Sequence, residues 1–208
     1  MIIKHRGIEP KIDPSSYIAP TATVIGDVTI GAKTKVMFGA IINSEGSKVT
    51  IGEGTIISEN AVIRATANGD KEHFVAIGEN VFIGPHTTIL GGALEPGCYI
   101  ATGATILHGA KVSSGSVVAV GALVHANAVV PKDFFVPPYT IAIGDPVKLY
   151  SPNEKEKIIK AIGGIGFSKV AFNIDASGKS RAEIYKEAAK IRSDEYEAHL
   201  SDQIISND

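Results

Sequence analysis

The chain has 208 residues, with 20 basic and 22 acidic side chains and a formal net charge of −2. This balance excludes a broad cationic surface for nucleic acid or an anionic membrane as the main means of binding. A lone cysteine, Cys98, excludes an intrachain disulfide and a cysteine metal cluster.

No stretch approaches the roughly 20 apolar residues of a membrane span. The opening MIIKHRGIEP holds no apolar core of signal-peptide length, so a cytoplasmic location is expected. From Ile18 an aliphatic residue recurs every six positions: Ile18, Val24, Ile30, Val36, Ile42. The register resumes at Ile51, Ile57 and Ile63, and again at Ile77, Ile83 and Ile89. After a five-residue step it runs through Leu94, Ile100, Ile106, Val112, Val118, Val124 and Val130. A small residue usually follows four places later, as at Ala22, Thr34, Ala61, Thr87 and Ala104. A helix repeats near 3.6 residues and a strand near 2, and a period of six fits neither. It fits a three-sided coil with one short strand per face. The prediction is an all-β core, a left-handed parallel β-helix of about six coils over residues 1–150, with a C-terminal α-helical appendage over 151–208.

Two excursions leave the register after the same column. One runs from Asn43 to Thr50 and the other, charged, from Arg64 to Ala76. Loops that interrupt one edge of a solenoid commonly carry function; the alternative is a tolerated surface insertion. Beyond residue 150, Ser151-Pro152-Asn153-Glu154 reads as a capping box opening a short helix that ends near Gly163-Gly164. Ser180 and Glu183 form a second capping box. The helix after it places Ile184, Ala188 and Ile191 on one face, for packing on the prism of this subunit or a neighbour.

The segment YIAPTATVIGDVTIGAKTKVMFGAII and the hexads after it resemble the γ-carbonic anhydrase branch of the hexapeptide-repeat superfamily, over roughly residues 10–150. That resemblance implies a homotrimer with zinc held between subunits by three histidines. The stretch that ends in the first ligand reads here Ile56-Ile57-Ser58-Glu59-Asn60-Ala61-Val62-Ile63-Arg64. The stretch with the other two reads Ile83-Gly84-Pro85-His86-Thr87-Thr88-Ile89-Leu90-Gly91. Arg64, Pro85 and Leu90 therefore fall on the ligand positions, while the five-residue hexad from Ile89 to Ala93 keeps the register. The family's Arg-Gly-Asp element becomes Asn43-Ser44-Glu45. No metal and no resident cofactor are expected at that position.

Arg64 has two readings. It is a fixed cation for a small anionic ligand at a subunit interface, with Asn43, Glu45, Glu59 and His125 beside it. Alternatively it is a buried ion pair with Glu45 or Glu59 that fills the vacated site. His125 and His108 are expected as outward neighbours at a trimer seam or in solvent, and His73 as a solvated loop residue. Cys98 reads as a packed core residue. Outward Phe38, Leu90 and Leu107 need the cover of a trimer.

Three functions follow from these residues. One is a trimeric scaffold or anion binder without hydration activity. Another is an acyltransferase using acetyl-CoA or another acyl-CoA, supported by Val136-Pro-Pro-Tyr-Thr-Ile-Ala-Ile-Gly-Asp-Pro-Val-Lys148. That segment resembles the closing loop of hexapeptide acyltransferases, and His86, His108 or His73 would serve as the base. The third is a carbonic anhydrase with relocated ligands, such as His86 and His125.

Overall fold

A computed structural model describes residues 1–68 and 71–206. Gly69 and Asp70, inside the second excursion, lie outside the described residues, as do the last two positions.

Strands of two or three residues stack into three parallel sheets, one per face of a prism. The first-column strands run from Tyr17–Ile18 to Phe135–Val136 in a seven-stranded sheet, and a second seven-stranded sheet runs from Lys11–Ile12 to Val129–Val130. The third sheet has ten strands. It begins its parallel ladder at Ile2–Lys4 and ends it at Ile141–Ile143. The solenoid thus has about eight turns rather than six. The extra coils come from residues the hexad count omitted: Ile2 pairs with Val24, Ile12 with Ile30, and Val136 and Ala142 continue two columns at the far end.

The columns read from the sequence are the core. Ile42, Ile63, Ile89 and Ile106 stack in register and are fully buried, as are Val36, Ile57, Ile83 and Ile100. The small residues at the corners, Ala22, Thr34, Ala61, Thr87 and Ala104, are buried as well. Corners also use glycine for close backbone approach. A Cβ on Gly52 would lie 2.6 Å from the Gly78 carbonyl carbon and 2.7 Å from the Glu79 nitrogen.

Both ends of the prism are closed by antiparallel strands. Lys148–Tyr150 pairs with Ile141–Ile143, so the closing segment that resembles that of the acyltransferases ends in a terminal hairpin. Gln203–Ser206 pairs with Ile2–Lys4. Between them lie three helices: α1 (Lys155–Gly163), α2 (Phe167–Phe172) and α3 (Arg181–Tyr196), followed by a 3-10 turn over Glu197–Ser201.

The first capping box is only half present. Glu154 accepts from the Ser151 backbone N–H at 2.8 Å, but this closes a turn, and α1 starts after Glu154 with no side-chain cap. The box of Ser180 and Glu183 is complete, with both reciprocal bonds. Ala188 of α3 is buried, and Ile184 and Ile191 flank it half-buried. The tail lies on this chain's own prism: Arg6 reaches the Glu195 carbonyl at 3.3 Å, and His73 reaches the Val170 carbonyl at 2.6 Å.

Candidate functional site

The site is the stretch of the ten-stranded face that the tail covers. Strand register sets Ile25, Asn43, Arg64 and Leu90 in one outward row. Each follows a buried column residue, so alternation along the strand turns it outward.

The first excursion begins just after Asn43 and returns Glu45 onto this row. Glu45 has φ +47°, a left-handed turn fixed by the Asn43 side chain. Asn43 Oδ1 accepts from the Glu45 backbone at 2.8 Å, and Asn43 Nδ2 donates to Glu45 Oε1 at 2.8 Å. Arg64 Nε donates to the same oxygen at 3.1 Å. The Glu45 side chain is 2 % exposed and that of Arg64 20 %. From the tail, Glu195 stands 3.9 Å from Arg64 Nη2, and the Tyr196 ring lies 5.2 Å beneath the guanidinium. Glu195 is itself ion-paired with Arg192. Arg64 therefore pairs with Glu45. Glu59 sits at the corner ahead of the strand Val62–Arg64, where its backbone carbonyl accepts from His86.

Beside this pair, the other carboxylate oxygen of Glu45 faces His199 Nε2 at 3.3 Å. His199 Nδ1 is bonded to Asp202 at 2.7 Å, and the other Asp202 oxygen holds His5 Nδ1 at 2.6 Å. The two imidazoles stack with centroids 4.3 Å apart. His5, His199 and Asp202 carry no pattern in the sequence that singles them out, and only the pairing of the chain's two ends joins them.

A second group lies further along the same face. His108 and His125 are both buried under Phe167 of α2, at ring distances of 6.2 and 6.0 Å, and His73 meets His108 edge-on at 5.2 Å. This corrects three expectations. His108 and His125 are not open to solvent, because α2 of the same chain covers them. His73 is not solvated, because the second excursion folds as a hairpin, Thr66–Asn68 against Lys71–His73, tucked beneath α2. Burial, reinforced by His73, Arg192 and Arg64, pushes the His108 imidazole down to about 4. Burial also lowers His125. Neither Nδ1 has a hydrogen-bond partner among the described residues.

His86 is apart from both groups. It occupies an exposed corner with φ +58°, and its backbone donates to the Glu59 carbonyl at 3.0 Å. Cys98 is buried, its thiol is pushed up by burial, and it faces the Ser113 carbonyl at 3.2 Å, as expected of a packed residue.

Fold and repeat together define a hexapeptide-repeat β-helix. No family model matches the chain. Its sequence relatives include γ-carbonic anhydrases: it is 36 % identical to the mitochondrial γ carbonic anhydrase 1 of Arabidopsis thaliana over 98 residues, 46 % of this chain and 36 % of that protein. It is 37 % identical to dynactin subunit 6 of Xenopus tropicalis over 91 residues, 43 % of this chain and 42 % of that protein. The chain thus spans less than half the length of these relatives. A hexapeptide transferase family protein from Anaplasma phagocytophilum superposes with a TM-score of 0.52 over 97 % of this chain and 98 % of its own, at 19 % identity, a likeness of fold.

Proposed function

We infer that this chain is a cytoplasmic, homotrimeric γ-carbonic-anhydrase-like scaffold whose Arg64–Glu45 ion pair replaces the metal centre of that family, and that it does not hydrate carbon dioxide there. The pair itself carries the reading. Zinc at that position needs about three donors and an open position for water. A guanidinium cannot ligate, proline and leucine offer no side-chain donor, and Glu45 directs one oxygen at Arg64 and Asn43. The residues at Arg64, Pro85 and Leu90 therefore do not fit the ion. Arg64 Nη2 is buried under the tail and has no hydrogen-bond partner among the described residues, so a small anionic ligand at a subunit interface would use it once the tail moves aside.

Two observations support the scaffold. A relative as similar as the anhydrases is named as a dynactin subunit. On the first-column face, an outward row of Tyr17, Ile56, Phe82, Tyr99, Val117 and Phe135, interrupted by Lys35, leaves its aromatic rings exposed, and a neighbouring copy would cover it. The test is carbon dioxide hydration with added zinc, alongside sedimentation. No rate above that of the free ion, and a mass three times that of the 21.7 kDa chain, are expected. Zinc-dependent hydration lost on His86→Ala or His125→Ala would establish relocated ligands instead.

A second reading, acyl transfer from acetyl-CoA, is favoured by His108. Its Nδ1 has no partner among the described residues and would accept the acceptor's proton, and that role requires α2 to uncover it. Acetyl-CoA raising the melting temperature of the full chain, but not of the His108→Gln variant, would support it.

A further inference from the structure

We propose that His5, Glu45 and His199 form a divalent-cation site that fastens the C-terminal segment to the first coils, distinct from the position Arg64 fills. Their donor atoms all lie within 4.8 Å of one another. His5 and Glu45 are buried, and His199 is 29 % exposed in its side chain.

The hydrogen bonds around these residues leave a cation's donors free. Asp202 takes the Nδ1 of both histidines, one on each oxygen. A carboxylate fixes the tautomer in this way, with the proton on Nδ1 and the lone pair on Nε2. Glu45 is fixed similarly. Asn43 and Arg64 both donate to Oε1, while the buried Oε2 is without a hydrogen bond. His199 Nε2 and Glu45 Oε2, 3.3 Å apart, are then two acceptors facing each other. Only a cation or a proton between them makes that contact favourable.

The spacing fits a cation. Zinc–nitrogen and zinc–oxygen bonds of about 2.0–2.2 Å at a tetrahedral angle place the two donors roughly 3.3 Å apart. His5 Nε2 is the third donor. It now accepts from Arg6 Nε at 3.3 Å, and for an ion to bind, the exposed Arg6 must turn away and release the Glu195 carbonyl as well. Two imidazoles and a carboxylate suit zinc, cobalt or nickel better than calcium or magnesium. The three donors come from the strand region at the N-terminus, the turn after Ile41–Asn43, and the 3-10 turn over Glu197–Ser201. An ion there would join both ends of the chain to the prism.

The experiment is titration of the chelator-stripped full chain with Co2+, followed by visible absorption and then zinc competition, with melting temperatures in parallel. The expected result is a tetrahedral cobalt spectrum that zinc displaces, with a rise in melting temperature. His5→Ala and His199→Gln should abolish the spectrum. The second replaces a partly exposed ring with an amide, so folding is retained. Asp202→Asn should weaken binding roughly 10–100-fold, and His86→Ala should change nothing. An absent cobalt spectrum would overturn the proposal. A spectrum unchanged by His5→Ala and His199→Gln would overturn it too, by placing the ion elsewhere. Either failure leaves the scaffold reading standing, because that rests on hydration and mass.

Discussion

Replacing Arg64 with alanine removes a guanidinium that holds a buried carboxylate. The Glu45 side chain is 2 % exposed, so the variant leaves a negative charge with little water to stabilise it. Breaking one half of a fully buried pair costs on the order of 3–5 kcal/mol. Two features lower that figure here. Arg64 is one-fifth exposed, and Glu45 keeps the Asn43 Nδ2 donor at 2.8 Å. The expected loss is therefore about 2–3 kcal/mol, or roughly 5–10 °C in melting temperature for a chain of this size. Equilibrium unfolding in urea, with chelator present, reads it directly. Glu45→Gln in the Arg64→Ala background should recover part of the loss, since a neutral amide needs no counter-charge. The coupling energy of the double-mutant cycle then isolates the pair. A loss below about 0.5 kcal/mol, the range of ordinary surface substitutions, would refute the idea that this pair supports the fold.

Other expectations follow from packing and titration. Gly52→Ala should destabilise by about 1–3 kcal/mol, because its Cβ meets the backbone of the next coil, and unchanged urea unfolding would contradict that contact. Ile89→Ala, in the middle of a fully buried column, should cost about 2–5 kcal/mol by the same measurement. His108 is held at about 4 when folded, against 6.5 ordinarily, so the unfolded chain binds the extra proton between those values. Its contribution is present in full above pH 6.5 and is lost progressively as pH falls to 4, by up to about 3 kcal/mol. His108→Asn should flatten the stability curve in that window, and superimposable curves would count against a buried neutral imidazole.

The period of six and its column residues specify the prism, because coil-on-coil contacts recur at fixed spacing and each position states its environment. The same spacing makes Asn43, Arg64 and Leu90 neighbours, which strand pairing bears out. At the end coils the signal thins only in part. Ile12 and Val136 keep the period of six, whereas Ile2 stands apart from the hexads and position 142 holds alanine where the column elsewhere has larger aliphatics. The complete Ser180–Glu183 capping box was legible because its partners are three residues apart. What the tail does was not legible. Tyr196, Glu195, His199 and Asp202 meet Arg64, Glu45 and His5 from more than half the chain away, and nothing periodic announces contacts of that kind. Only the folded tail decides that His108, His125 and His73 are buried rather than solvated, because burial there is supplied by Phe167 and its helix, not by the residues beside them in sequence.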